Sequence, residues 1–413
     1  MKKVLTTCFI FVCFLSISKA QNPGCDGSRY IDNVFPTFKK TTVTYAPTTS
    51  HLGGTINLMM DVYEPDGDVV VSRPVVVLAH GGSFIFGDRT MMGRYCELLA
   101  KKGYVAATIS YRLFPFLNLG FPDSLDVFDT AVKAVGDMRA AVRYFREDAA
   151  TSNQFKADVN HIFIGGYSAG AVTALHCAYL DGSDDVPAFL QTLIDNNGGL
   201  DGVSGTSANQ SFSSSSGAVV NMSGGLYRSI WIDPNETPLV SIHGTADETV
   251  PFVSGLAANI AYLEGSSKIH AQAEQINLWN SLHIVPGGGH TNIYDLAAYA
   301  PHLDTFWVNA TTLLESLTCA TVGTVLPEYY DKNWQMSPNP NDGQTLNVIL
   351  PEATKKVQIT VYEGSGKKVF SQVFFNHTPA LSLGQLTPGV YFVQPVDLLN
   401  PDNQIAPKKL IVR

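Results

Sequence analysis

The sequence predicts an α/β fold built on a doubly wound, mostly parallel sheet, followed by a small all-β sandwich. Three observations lead there. Continuous apolar runs such as "RPVVVLAHGG" and "YVAATISYR" fit strands covered on both faces, with helical stretches between them. The later runs "HIFIGG", "TPLVSIHGT" and "LHIVPGG" each end in a glycine-bearing loop, and parallel sheets gather their chemistry at such strand ends. After Cys319 the texture changes to short alternating segments with turn signals.

Residues 1–20 read as a secretory signal peptide. Lys2 and Lys3 precede the apolar stretch Val4–Ile17, and "SISKA" ends on the small residue Ala20. The stretch is short for a transmembrane helix, and the residues before Cys8 and Cys13 make a poor lipobox. The mature chain is expected to begin near Gln21, outside the cytoplasm, with no membrane-spanning segment. In an oxidising compartment Cys25, Cys96, Cys177 and Cys319 allow one or two disulfides in three full pairings. Cys25–Cys96, a staple of the N-terminal arm onto the first helix, is the favoured pair, and Cys177 reads as a buried thiol.

Residues 21–320 form the α/β domain. "INLMMDVYEP" alternates like a strand near a sheet edge, and "MMGRYCELLAKKG" reads as a helix stopped by Gly103. The segment Leu125–Phe145 places Phe128, Val132, Val135, Met138, Val142 and Phe145 on one helical face. Two loops break the rhythm. Phe114–Ser124 is aromatic and proline-bearing; Asp181–Ser216, rich in Gly, Ser and Asn, reads first as a mobile surface loop and second as a small lid. Residues 321–336 read as a linker. In residues 337–413, Val357, Ile359 and Val361 alternate with polar neighbours and "EGSGKK" signals a hairpin turn. The net charge of −9, without a basic stripe, argues against nucleic acid as a partner.

The chemistry centres on "GYSAG", which fits G-x-S-x-G between a strand and a helix. Gly166 and Gly170 leave room for close backbone approach around Ser168, and the following helix aims free N–H groups at the site. A serine hydroxyl is a weak nucleophile and needs a base oriented by an acid. Asp247 follows the strand Leu239–Ile242 and His290 follows Leu282–Val285, in the chain order Ser, acid, His. Glu248 is the rival acid, one position off. His243 is the rival histidine, but it precedes the acid and reads as a prop for the loop. "HGGSF" offers backbone N–H groups of Gly81 and Gly82 for an oxyanion, and Ala169 offers a third. His80 is expected to hold that loop. Phe84, Phe86 and Phe114 fit either a pocket wall or ordinary core packing. Singly, each of these residues has a plain structural explanation; their joint placement at strand ends points to acyl transfer.

With "HGGSF", "ISYRL", "GYSAGA", "HGTADETVP" and "GGGH" in that order, the region from about Cys25 to Ala320 resembles the α/β-hydrolase superfamily, and within it the carboxylesterase and hormone-sensitive-lipase-like esterases. The resemblance implies Ser168 as nucleophile, His290 as base, Asp247 as orienting acid, and Gly81, Gly82 and Ala169 as oxyanion donors. It calls for no metal or organic cofactor. Two features depart from the lipase-like branch: Ser83 stands where an HGGG loop has its third glycine, and a large N-terminal cap is absent. The implied activity is a secreted serine carboxylesterase. Acetyl or feruloyl esters of polysaccharide and polyesters are alternative substrates, and a peptidase or a non-catalytic binding protein of the same fold are the rivals. The stretch Ser337–Arg413, with "SPNPNDG", "VYEGSGKKV" and "LSLGQLTPGVYFVQ", is similar to the type A sorting domain of the type IX secretion system. That likeness implies passage across the outer membrane, with the secretion machinery as a partner. A carbohydrate-binding β-module is the rival reading, with only Tyr391 and Phe392 as candidate platform residues.

Overall fold

The structure is a computed structural model that describes residues 24–319, 330–331, 334–339, 341–350, 354–363, 368–384, 386–399, 404–405 and 408–413. The expected signal peptide lies outside the described residues. So do most of the expected linker and the tip of the "EGSGKK" turn. The chain falls into two compact units that divide after Ala320.

The first unit opens with an antiparallel pair, β1 (Phe38–Thr49) and β2 (Thr55–Pro65), followed by β3 (Arg73–Ala79). Next come α1 (Gly93–Lys101), β4 (Val105–Ile109), the single turn α2 (Phe116–Leu119) and the long α3 (Ser124–Ala150). Then follow β5 (Ala157–Tyr167), α4 (Ala169–Tyr179), α5 (Ala188–Asn196), β6 (Val219–Met222) and the two-residue β7 (Gly225–Leu226). The unit closes with β8 (Leu239–Gly244), the hairpin β9 (Ser254–Ala257) and β10 (Ala261–Gly265), α6 (Ser266–Gln275), β11 (Asn280–Val285), α7 (Asn292–Asp295) and α8 (Ala300–Cys319).

The main sheet has the order β1-β2-β4-β3-β5-β6-β8-β11, antiparallel as far as β4 and parallel beyond it. Side chains on β3 alternate with the period of the pleat. Val75, Val77 and Ala79 pack with α3 and α4, while Val76 and Leu78 pack with α1 and α8. A sheet covered on both faces follows from its continuous apolar runs.

The structure meets some of these expectations and corrects others. "INLMMDVYEP" is β2, near the edge as expected, one place in from the edge strand Phe38–Thr49, which is additional. The four-residue β6 and the small β7-β10-β9 sheet are additional to the expected elements. The disulfide joins Cys25 to Cys319, with Cα atoms 5.5 Å apart, and not Cys25 to Cys96. Cys96 turns inward from α1 into the apolar layer with Leu99 and Tyr63, fully buried, where no N-terminal thiol reaches it. Cys177 is a buried free thiol.

Asp181–Ser216 is strapped down rather than free. Arg139, Arg143 and Arg146, at helical spacing on α3, bond the carbonyl oxygens of Leu180, Ser204, and Ser213 with Ser215. Arg112 grips Asp137 through Nε and Nη2 at 2.8–3.1 Å and also reaches Ser204 Oγ at 3.1 Å. This pair is 3% and 0% exposed.

The second unit holds two sheets around one core. The larger is built on Val357–Glu363, Gly389–Asp397 and Lys408–Val412; the smaller pairs Gln335–Ser337, Thr345–Ile349 and Ala380–Ser382. Val357, Ile359 and Val361 face Leu346, Val348 and Leu381 in a shared apolar layer, with Trp334 at its edge. Tyr391 points into that core, so the two aromatics form no exposed platform.

Because removing one member of a buried ion pair strands the other charge, Asp137→Ala is expected to lower stability by about 3–5 kcal/mol. Urea unfolding followed by tryptophan fluorescence measures it. A loss below about 1 kcal/mol would show that Arg112 draws its stability from the remaining carbonyl and hydroxyl acceptors.

Candidate active site

The carboxyl ends of β3, β5, β8 and β11 converge, and each delivers one part of the site. At the end of β5 the chain must leave a buried strand and enter α4 within one residue. Ser168 makes that turn at φ 55° and ψ −120°, a strained backbone for a residue with a side chain. The glycines two residues to either side of it cannot be given side chains. A Cβ on Gly170 would meet the Ala79 carbonyl oxygen at 2.1 Å, and one on Gly166 would meet the same oxygen at 2.5 Å. The glycines thus let the elbow seat directly on the end of β3, as the sequence suggests.

Ser168 is brought together with both expected partners. His290 Nε2 lies 2.7 Å from Ser168 Oγ, and His290 Nδ1 lies 2.7 Å from Asp247 Oδ2. With Nδ1–H donating to the carboxylate, Nε2 is left to accept from the serine hydroxyl. Tyr167 supports the imidazole, stacking at 5.3 Å between ring centroids and donating its hydroxyl to the His290 carbonyl oxygen at 3.2 Å.

Asp247 is buried, and its other oxygen accepts from the Thr249 and Val250 backbone N–H groups at 2.9 and 2.8 Å. Burial pushes its carboxyl pKa up, but hydrogen bonds from His243 and His290 outweigh this and hold it at about 2. The rival acid Glu248 points to solvent. The rival histidine, His243, takes the role of a prop: Nε2 lies 3.2 Å from Asp247 Oδ2 and donates to the Val250 carbonyl at 2.9 Å, while Nδ1 meets Ser266 Oγ at 2.8 Å.

The loop after β3 turns sharply beside the elbow. Gly82 has φ 121°, and its carbonyl accepts from Ile85 and Phe86 N–H groups. A Cβ on Gly81 would press on the Tyr167 ring at 2.8 Å and on Ser168 Cβ at 3.1 Å, so this backbone lies against the nucleophile's own side chain. Ala169 opens α4, where first-turn N–H groups have no intrahelical partner. His80 is buried, donates Nδ1–H to the Gly81 carbonyl at 2.7 Å, stacks on Tyr111 and takes no part in the Ser168–His290 contact. Of the three aromatic candidates, Phe84 lines the space beside Ser168, Phe114 is buried against His51, and Phe86 is half exposed against Phe116.

A cleft opens from Ser168 between α3, α4, α5 and the β9–β10 hairpin. Of its walls, sequence reading offered only Phe84. One signal was available: Ser168, Val172 and His176 recur at four-residue spacing on α4. Among the described residues no group of His, Cys, Asp and Glu is arranged to hold a metal ion, and no helix is long and apolar enough to cross a membrane.

Comparison with known proteins matches residues 60–259 to the BD-FAE family and residues 335–413 to the family described as a secretion system C-terminal sorting domain. The BD-FAE match takes in Ser168 and Asp247 and ends before His290. Esterase-5C of Drosophila miranda is 31% identical over 117 residues, which are 28% of this chain and 20% of that protein. The non-reducing polyketide synthase Preu3 of Preussia isomera is 30% identical over 132 residues, 30% of this chain and 5% of that protein. The chain therefore spans a fifth or less of the length of these relatives. Among solved structures, butyrate-bound Thermogutta terrifontis esterase 2 is similar over 71% of this chain and 99% of that one, at 19% identity and a TM-score of 0.48. Residues 60–259 thus carry a BD-FAE domain, and residues 335–413 a type IX sorting domain that marks the chain for export to the cell surface or beyond.

Proposed function

We propose that this exported protein is a serine carboxylic ester hydrolase. The observation that carries the reading is the unbroken chain from Ser168 Oγ through His290 to Asp247, two contacts of 2.7 Å, on a strained elbow. Ser168 Oγ attacks the ester carbonyl carbon while His290 Nε2 takes the hydroxyl proton. The negative charge that develops on the carbonyl oxygen falls to the backbone N–H groups of Gly81, Gly82 and Ala169. The carbon–oxygen bond to the alcohol then breaks, His290 gives its proton to the leaving alkoxide, and an acyl-enzyme remains. Water, deprotonated by His290, attacks the same carbon; the acid leaves and the proton returns to Ser168. Asp247 stays ionised and fixes the imidazole tautomer throughout. The C-terminal domain engages the type IX export machinery and takes no part in this chemistry.

Ser168→Ala is expected to lower kcat on p-nitrophenyl butyrate by at least about 10⁴-fold; turnover that survives the substitution would sink the assignment. Asp247→Asn is expected to lower kcat by about 10³–10⁴-fold, because an amide favours the wrong tautomer of His290. The same variant tests the electrostatics. A carboxyl held at about 2 in the folded state, below its ordinary 3.8, contributes stability that is full above pH 3.8 and is lost as pH falls through 2. Urea unfolding at pH 5, 4, 3 and 2 should therefore find the gap between wild type and Asp247→Asn narrowing by up to about 2 kcal/mol. A constant gap would show that the two histidines do not favour the ionised form.

A further inference from the structure

The cleft beside Ser168 has a definite direction. On α4, Ser168 stands at its mouth, Val172 one turn along and His176 a second turn along. Val127, Ala131 and Val135 of α3 line the facing wall at the same spacing. The far end is closed by Leu180, Leu190 and Ile194, which pack together with Trp231. From Ser168 to His176 the helix rises about 12 Å, the length of an extended hydrocarbon chain of roughly ten carbons.

Beyond Ser168 the polar side chains along this path are few, namely Ser83, Thr249, Tyr227 and His176, and both ring nitrogens of His176 are engaged. His176 donates Nδ1–H to the Val172 carbonyl at 2.8 Å, and its Nε2 accepts from the Tyr227 backbone N–H at 3.1 Å. Burial lowers its pKa to about 4, so the ring is neutral at physiological pH.

The side of the ester that enters is also fixed. The leaving alcohol must sit against His290 Nε2, which protonates it, and neither His290 nor Asp247 lines the cleft. The group that stays bonded to Ser168 Oγ is the acyl group, and the cleft opens on Ser168, Ala169 and Val172. Resting on the esterase reading above, we propose that the cleft binds the acyl chain of an aliphatic ester, with eight to about ten carbons laid along α4 from Ser168 to His176. The substrate class is then a medium-chain fatty acyl ester.

The test uses the full chain, p-nitrophenyl esters from acetate to palmitate, and methyl ferulate. The ratio kcat/KM should rise at least about tenfold from acetate to octanoate or decanoate, since each buried methylene adds to binding, and fall beyond dodecanoate. Val172→Trp, which plugs the cleft one turn from the nucleophile, should lower the octanoate-to-acetate ratio at least about tenfold. Should that variant not fold, Ala131→Phe on the facing wall carries the same expectation. Ser168-dependent turnover that is highest on acetate or methyl ferulate, or a ratio unmoved by the plug, would overturn the proposal while leaving the esterase reading intact. Turnover of every ester that survives Ser168→Ala would instead overturn the esterase reading beneath it.

Discussion

The site depends on one backbone contact, that of the end of β3 with the β5–α4 elbow. The Ala79 carbonyl oxygen lies where side chains on Gly166 or Gly170 would have to be, so neither position tolerates a Cβ without displacing main chain. This contact sets how far α4 advances over the sheet, and with it the position of Ser168. It also brings the Gly81–Gly82 turn against the Ser168 side chain. Backbone held by backbone moves little. A strained residue such as Ser168 persists only where its surroundings over-determine it, and the two flanking glycines supply that condition.

Around this fixed point the electrostatics separate three histidines by their partners alone. His290 faces a carboxylate on one side and a hydroxyl on the other. His243 shares the same carboxylate, but its remaining nitrogen is taken by Ser266, so it has nothing to exchange with Ser168. His176, two turns along the nucleophile's own helix, has a carbonyl acceptor and an amide donor and lies at no carboxylate. Its environment is apolar and its ring stays neutral. The polar and apolar halves of the site therefore meet at Ser168, with ion-pairing chemistry on the β11 side and hydrocarbon on the α3 side.

Much of this was legible because the informative residues each end a buried strand. Ser168, Asp247 and His290 follow continuous apolar runs, and a strand end in a parallel sheet is a known place in space even when its neighbours are not. Other features had no such anchor. Cys25 and Cys319 are 294 residues apart, and only the packing of α8 beside the N-terminal arm brings them together. Strand β6 has four residues, too few to show a period. The cleft draws on two long helices, a short helix within a Gly/Ser-rich segment and a hairpin. Its outline is a property of the assembled fold, of which only the α4 wall leaves a pattern in the sequence.

That Gly/Ser-rich segment shows how a surface stretch with few apolar side chains is held to the fold. Few of its side chains are apolar, so burial of side chains alone could not hold it, and its carbonyl oxygens need donors wherever they are covered. Arginines on α3 supply them, because one guanidinium carries five N–H groups in a fixed fork and satisfies several acceptors at once. The same helix presents an apolar face in its first half, where Val127, Ala131 and Val135 line the cleft, and a row of arginines in its second half, where Arg139, Arg143 and Arg146 hold the strap. Leu190 and Ile194, carried on the strap, close the far end of the cleft. The depth of an apolar site is thereby set by polar bonds made one to four turns further along its wall.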